Sequence, residues 1–357
     1  MTEFAGREEQ RMQTRIDGQS HDGARGVSAV MRAIGGGGGF DQLKIVTLLF
    51  VTIFAIYSLM LPGFFTVGNL LTLTRTVAVL GILGLGMAIV VIGRGIDLSL
   101  IASLAVPSAL VLTLAAKGYG IAPAIACGLL MAVAIGMLNG ILVAYAEIPS
   151  LFTTLAVGIG IAGVGQIGLF DYEIVAWPAQ LDAIAWIGRG NLFGIPYSVL
   201  AFGVMAVVIG VFLRRTRLGM FVYASGDNPG ATRLTGIPLR PVLVMQYVIA
   251  ACVAFFAGMV LAASSAGMDT RIFNLTWIYD VILVVVLGGI GLSGGRGGVV
   301  NVIIGTLLIG TIMNGLTIMN VSFEMQNLVR GLVLLVAVLA DSLINPRNEE
   351  TSQQGDI

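Results

Sequence analysis

Arg214 to Pro241 reads RRTRLGMFVYASGDNPGATRLTGIPLRP, a polar interruption in a chain that is almost continuously apolar on either side of it. A segment of this kind between two hydrophobic runs must leave the membrane, so its reading fixes the chain as one that crosses the bilayer repeatedly. It carries its own fold signals. Asp227 or Asn228 can cap a helix, and Pro229 suits the first helical position, where its missing N–H costs nothing. Gly236 suits the left-handed residue that ends the helix, and Pro238 forbids its continuation. The signals predict a helix over Pro229–Thr235, about two turns at 3.6 residues each. Two turns have no stability alone in water. Two readings follow from the residues: a part shaped to fit into a partner, or a structured connector between two spans.

Composition agrees with the membrane. Of 357 residues 57% are hydrophobic and 11% charged, and the mean hydropathy is +0.97. Soluble domains of this length carry about twice that share of charge, so the bilayer is the solvent. Cys127 and Cys252 fall in apolar runs, which indicates neither a disulfide framework nor a metal site. His21, the single histidine, lies in the polar N-terminal stretch, so the spans hold no imidazole to act as base, ligand or proton relay.

Residues 1–42 are polar, with five arginines and the run Gly35–Gly39, and read as a cytoplasmic disordered tail. A cleaved leader would place its apolar core earlier; the run beginning near Leu43 is read as a retained span. Ten spans are predicted within a permease domain over 43–344: Leu43–Leu61, Thr76–Ile92, Leu98–Ala116, Ile121–Tyr145, Leu151–Phe170, Tyr197–Leu213, Val242–Ala263, Trp277–Leu292, Val299–Met319 and Met325–Leu343. Several fall short of the roughly 20 residues a straight span needs, which points to half-helices or tilted pieces. Residues 345–357 form a second polar tail. The fold class is therefore all-α and polytopic.

Basic residues set the orientation. With the N-terminus inside, fourteen of the nineteen Lys and Arg fall on the cytoplasmic side, and Arg75, Lys117, Arg189 and Arg271 fall outside. That excess places both termini and the 214–241 segment in the cytoplasm. Glycines inside the spans, among them Gly81, Gly84, Gly86, Gly158, Gly160, Gly163 and Gly165, let helix backbones approach closely. Gly158–Gly163 and Gly289–Gly294 match G-x-G-x-x-G, but neither opens a soluble βαβ unit, and packing explains them better. Asn139-Gly140 in the fourth span and Asn314-Gly315 in the ninth occupy equivalent places if the ten spans divide into an inverted five-plus-five repeat.

A phosphate-binding G-x-x-x-x-G-K-[ST] loop is excluded, because the two lysines, Lys44 and Lys117, lie in no such motif. The chain is no ATPase, and any ATP engine is a separate subunit.

Four ordered motifs carry a resemblance. The stretch Val77 to Ala115, VAVLGILGLGMAIVVIGRGIDLSLIASLAVPSALVLTLA, contains Gly95-Ile96-Asp97-Leu98-Ser99. Then come Leu138-Asn139-Gly140 with Ile148-Pro149-Ser150-Leu151-Phe152-Thr153-Thr154-Leu155, and Gly226-Asp227-Asn228 with Ala231-Thr232-Arg233-Leu234-Thr235-Gly236-Ile237. The fourth is Val284–Gly289 with Ser293-Gly294-Gly295-Arg296-Gly297. Together they resemble the permeases of ribose-type sugar ATP-binding-cassette (ABC) importers, from about the first span to Asp341. Arg94 stands where that family usually has glycine, and Leu100-Ile101 replaces its usual Val-Gly.

The resemblance implies a membrane subunit in the bacterial inner membrane that moves a simple sugar by alternating access. It implies a separate ATPase subunit, a second permease subunit, identical or not, and an extracytoplasmic sugar-binding protein. It makes 214–241 the cytoplasmic coupling loop, with Asn228, Pro229, Ala231, Thr232, Arg233, Leu234 and Gly236 presented to the ATPase. Asp97, Ser99, Asn139 and Asn314 become candidate signature or pathway positions. No cofactor, metal or nucleic acid is implied.

Polar residues carry plainer readings too. Asp97 can cap the following span, and Arg330 can snorkel to the outer headgroups. Glu324, six residues away, does not share its helix face. Asn139, Gln166, Gln246, Asn301 and Asn314 suit either sugar hydroxyls or interhelical hydrogen bonds. Outside, Asp171–Pro196 carries Tyr172, Glu173, Trp177, Trp186 and Arg189, an interfacial belt or, by the resemblance, a docking surface for the binding protein. A branched-chain amino acid permease, an ion-coupled secondary transporter and a structural membrane subunit are the alternative readings.

Overall fold

The computed structural model describes residues 42–169, 174–274 and 277–344. Ten hydrophobic helices follow the predicted order. They are α1 (Gln42–Met60), α2 (Val67–Ile92), α3 (Leu100–Ala116), α4 (Ile121–Ala144) and α5 (Ser150–Val164, extended by a π turn to Leu169), then α7 (Tyr197–Arg215), α10 (Leu239–Ser265), α11 (Trp277–Leu287), α12 (Val299–Ile318) and α13 (Phe323–Ile344). Between them lie three short helices, α6 (Trp186–Arg189), α8 (Arg217–Asp227) and α9 (Pro229–Leu234). Seven of the ten are long and apolar enough to cross a membrane, and α3 and α11 are shorter apolar pieces. The two proposed polar tails lie outside the described residues, apart from Gln42, which opens α1.

The bundle is organised around α2 and α10. From Val77 to Ile92 every residue of α2 is buried, on all sides of the helix. That pattern marks a helix surrounded by protein rather than one facing lipid. Gly84 and Gly86 permit the crowding: a Cβ at Gly84 would stand 2.9 Å from Val284 Cγ1, and one at Gly86 3.2 Å from the Ala250 carbonyl. Against the other side of α10, Gly136 and Gly140 of α4 meet backbone; a Cβ at either would stand 2.5 Å from Val248 Cα or Val244 Cα. Small residues one turn apart thus bring two helices into backbone contact. Gly160 and Gly163 do not pack: nothing lies within 4 Å of a Cβ built on them, because this face of α5 has no neighbour among the described residues.

Helix lengths echo between the halves. In each set of five the second helix is the longest (26 and 27 residues) and the third is short (17 and 11). Asn139 and Asn314 fall in the fourth helix of each.

Hydropathy places the start of the second span at Thr76, but α2 begins nine residues earlier, at Val67. Thr66 accepts a hydrogen bond from Asn69 N as the cap. The first turns hold Thr72, Arg75 and Thr76, all exposed. Two small β pairs complete the chain: β1 (Ile174–Ala176) runs antiparallel to β4 (Gly267–Asp269), and β2 (Asn191–Leu192) forms a hairpin with β3 (Ile195–Pro196). The hairpin precedes α7 and α8 follows it. The two therefore sit at opposite ends of a helix about 28 Å long at 1.5 Å per residue.

Candidate functional site

The 214–241 segment is two consecutive helices. Thr216 caps α8, its hydroxyl oxygen accepting from Gly219 N at 3.0 Å. α8 turns Gly219, Val222, Ser225 and Gly226 inward. Sequence reading missed this helix, because its apolar residues are interleaved with Arg217, Gly219 and Ser225.

α9 follows with the anticipated end signals. Asn228, rather than Asp227, is the cap: its Oδ1 accepts from Ala231 N at 2.9 Å, and Pro229 takes the first helical position. Gly236 sits at φ +81°, the left-handed region that only glycine occupies freely. Thr232 is buried, its hydroxyl lying 2.7 Å from the carbonyls of both Ala224 and Asn228. This fastens α9 to α8. Ala231, Arg233 and Leu234 face away from the bundle, Leu234 with 91% of its surface exposed. Among the residues proposed to meet a partner, Thr232 instead holds the helix, while Arg233 and Leu234 are presented.

Arg94 ties this unit to the bundle. Its Nε lies 2.5 Å from the Gly226 carbonyl and 2.7 Å from that of Ser293, and its Nη2 donates to the Asp227 carbonyl at 2.8 Å. Arg94 itself holds φ +67°. A residue that is usually glycine at such a position is explained by that backbone; here the side chain adds the tie. Gly295 N donates to Ile92 O at 2.8 Å, and a Cβ at Gly226 would overlap that same carbonyl. The Tyr223 hydroxyl donates to Gly297 O at 2.8 Å. Burial raises the Tyr223 phenol above its ordinary value, with Arg214 pulling the other way, so it stays a neutral donor.

Beneath this tie lies a buried polar chain. Asn139 Nδ2 donates to Ser99 Oγ at 2.7 Å, and Ser99 donates from its hydroxyl to Asp97 Oδ1 at 2.6 Å. Asp97 also accepts Ser99 N at 2.9 Å, so it organises the turn that starts α3, close to the capping role expected of it. Ile96 N donates to Ser150 Oγ at 3.2 Å, and Leu98 N to Thr154 Oγ1 at 3.0 Å. All four motifs quoted from the sequence meet at this one junction. Beside it opens a groove of about 740 Å³, with Arg94, Tyr145, Glu147, Pro229, Arg233 and Arg240 in its lining.

Asn314 does not belong to this junction. It forms a reciprocal amide pair with Asn69, both bonds 2.9 Å, near the opposite end of α2. Asn301 donates to Gly288 O at 2.7 Å and Gln246 lies 3.4 Å from Ser225 Oγ, while Gln166 is exposed. Arg330 does not snorkel: its Nε donates to Asp280 Oδ1 at 2.8 Å, with both side chains only 11–12% exposed. Asp280 was passed over as part of an apolar span. A carboxylate at that depth is itself the signal, since such groups are retained in spans only with partners.

At the hairpin end, Tyr172 and Glu173 lie outside the described residues. Trp177 packs under Arg189, 5.6 Å from guanidinium to ring, and Arg189 Nε donates to Ala263 O at 2.7 Å. Trp186 meets Tyr197 edge-on at 5.3 Å and is exposed. Sequence reading missed Phe193, 97% exposed at the hairpin tip beside Gly194 at φ +86°.

The family described as branched-chain amino acid transport system / permease component matches residues 69–338. The ribose import permease protein RbsC of Escherichia coli strain K12 is 32% identical over 304 residues, covering 85% of this chain and 94% of the relative. RbsC of Bacillus subtilis strain 168 is 35% identical, covering 80% and 88%. The L-arabinose ABC transporter permease protein AraH of Azospirillum brasilense is 32% identical, covering 83% and 86%. No solved structure matches the chain.

Proposed function

The chain belongs to the branched-chain amino acid transport system / permease component family, and from that premise we propose that it is the sugar-translocating membrane subunit of an ATP-driven importer. The family is one of transport subunits without enzymatic activity of their own. Relatives of this chain are named for ribose, L-arabinose and galactofuranose, which supports a simple sugar, pentose or hexose, as cargo.

One observation carries the reading: Arg94 ties the first, third and fourth motifs together at the α8–α9 unit, the second motif joins the first at the Ile96–Ser99 turn, and Arg233 and Leu234 are turned outward. A two-helix unit clamped by Arg94 moves as one body. A push on α9 from an ATPase subunit is then transmitted into α2 through Ile92–Arg94 and into the 293–297 turn. In this reading α9 is the coupling helix and lies in the cytoplasm with both termini. A second permease subunit completes the path, and the binding protein docks on the hairpin side, at Trp177, Trp186 and Arg189. The membrane is a bacterial inner membrane.

Proteoliposomes holding this chain alone are expected to accumulate no D-ribose or L-arabinose under a proton or sodium gradient. Adding its ATPase subunit and loaded binding protein is expected to give uptake that requires ATP. Gradient-driven accumulation by the chain alone would replace this reading with a secondary transporter.

A further inference from the structure

At the end of the bundle remote from α9, a cavity of about 270 Å³ lies between the first turns of α2, α11 and α13 and the last turns of α12. It is just below the roughly 300–1,000 Å³ typical of small-ligand sites, which suits a small ligand. Leu73, Leu80 and Ile309 are its apolar lining, and Trp277 lends an aromatic one. Thr72, Thr76, Gln326, Asp280 and Arg330 supply the polar groups.

Three features separate this cavity from ordinary helix packing. The exposed Thr72, Arg75 and Thr76 lie on one side of a spanning helix, within about one turn of each other. Two hydroxyls and a guanidinium are costly against hydrocarbon, so this face favours water or protein. Second, the Arg330–Asp280 pair is nearly desolvated, an arrangement that stabilises a fold no better than apolar residues of similar volume would. Third, Arg330 Nε engages Asp280 Oδ1, at 2.8 Å, and Asp280 lines the cavity.

We propose that this cavity is a holding site for one uncharged monosaccharide on its way through the permease. It rests on the reading of the chain as a sugar importer. The two opposite charges already compensate each other, so the site offers a zwitterionic amino acid no free countercharge. A polyol, by contrast, needs both donors and acceptors and no net charge. The Asp280 carboxylate accepts from a sugar hydroxyl, the Gln326 amide both donates and accepts, and the Thr72 and Thr76 hydroxyl oxygens accept. Their protons are already directed to the carbonyls of Gly68 and Thr72. The Trp277 ring packs against the sugar's C–H face.

The test is ATP-dependent uptake of radiolabelled D-ribose and L-arabinose by the full importer in proteoliposomes, alongside its ATP hydrolysis with and without loaded binding protein. Asp280→Asn/Arg330→Gln removes both charges together, and Thr76→Trp fills the cavity while leaving the ion pair intact. Both are expected to cut uptake at least tenfold and to leave stimulated ATP hydrolysis within twofold, because the α9 end is untouched. A pair that only braces α11 against α13 predicts normal uptake in the double variant, since no charge is left uncompensated. Wild-type uptake in either variant overturns the site while the importer reading stands. A wild-type complex that takes up neither sugar overturns both.

Discussion

Arg233→Glu and Gly236→Val are each expected to lower the stimulation of ATP hydrolysis by loaded binding protein at least tenfold, in purified complexes of equal subunit content. The two act differently. Arg233 is exposed on α9, so reversing its charge alters what the ATPase meets and weakens docking without touching the bundle. Nothing lies within 4 Å of a Cβ built on Gly236, so valine suffers no clash there. Its cost is the left-handed backbone, roughly 1–2 kcal/mol for a branched residue. A six-residue helix has no reserve of its own to absorb that. Both variants should insert and pair with the second permease subunit normally, because every span is intact. Normal stimulation in both would make the segment a mere connector.

Arg94→Ala is expected to speed amide hydrogen exchange across 217–236 at least tenfold and to lower stimulated ATP hydrolysis severalfold. The guanidinium serves the carbonyls of Gly226, Asp227 and Ser293. Hydrogen bonds to a charged group contribute about 1.5–3 kcal/mol each, more than the roughly 1–2 kcal/mol that left-handed backbone costs at this residue. Arg94→Gly relieves the backbone and should still lose the tie, so its exchange is expected to resemble that of Arg94→Ala. Lysine keeps the charge but not the planar fork, and should fall between. Unchanged protection in Arg94→Ala would show that α8 and α9 are held by packing alone.

The spans were legible because twenty apolar residues in a row have one common solution in lipid. Where hydropathy failed, it failed for a reason. Thr72 and Arg75 were assigned to the segment before the second span and Thr76 to its very start, yet all three lie well inside the helix and line or flank the proposed sugar cavity. A water-facing helix turn has the composition of a loop. Asp280 and Arg330 were each visible in the sequence, but their pairing spans 50 positions and needs a fold to bring them together. Helix ends with explicit punctuation, Pro229 and Gly236 above all, were readable to within a residue, with the cap left between Asp227 and Asn228 and the end placed one residue late. The convergence of the four motifs was not, because no local pattern records that Arg94 reaches Gly226 and Ser293. The short hairpin around Phe193 also left little signal beyond Gly194.

Orientation decides whether α9 can meet an ATPase at all. Single cysteines at Asn228, Gln180 and Ser352, in a chain with Cys127 and Cys252 replaced by alanine, can be labelled with a membrane-impermeant maleimide from either side. Labelling of positions 228 and 352 from the cytoplasmic side alone, and of 180 from the outside alone, is the expected result. Labelling of position 228 from outside would contradict the coupling role and the inward placement of the α8–α9 unit together.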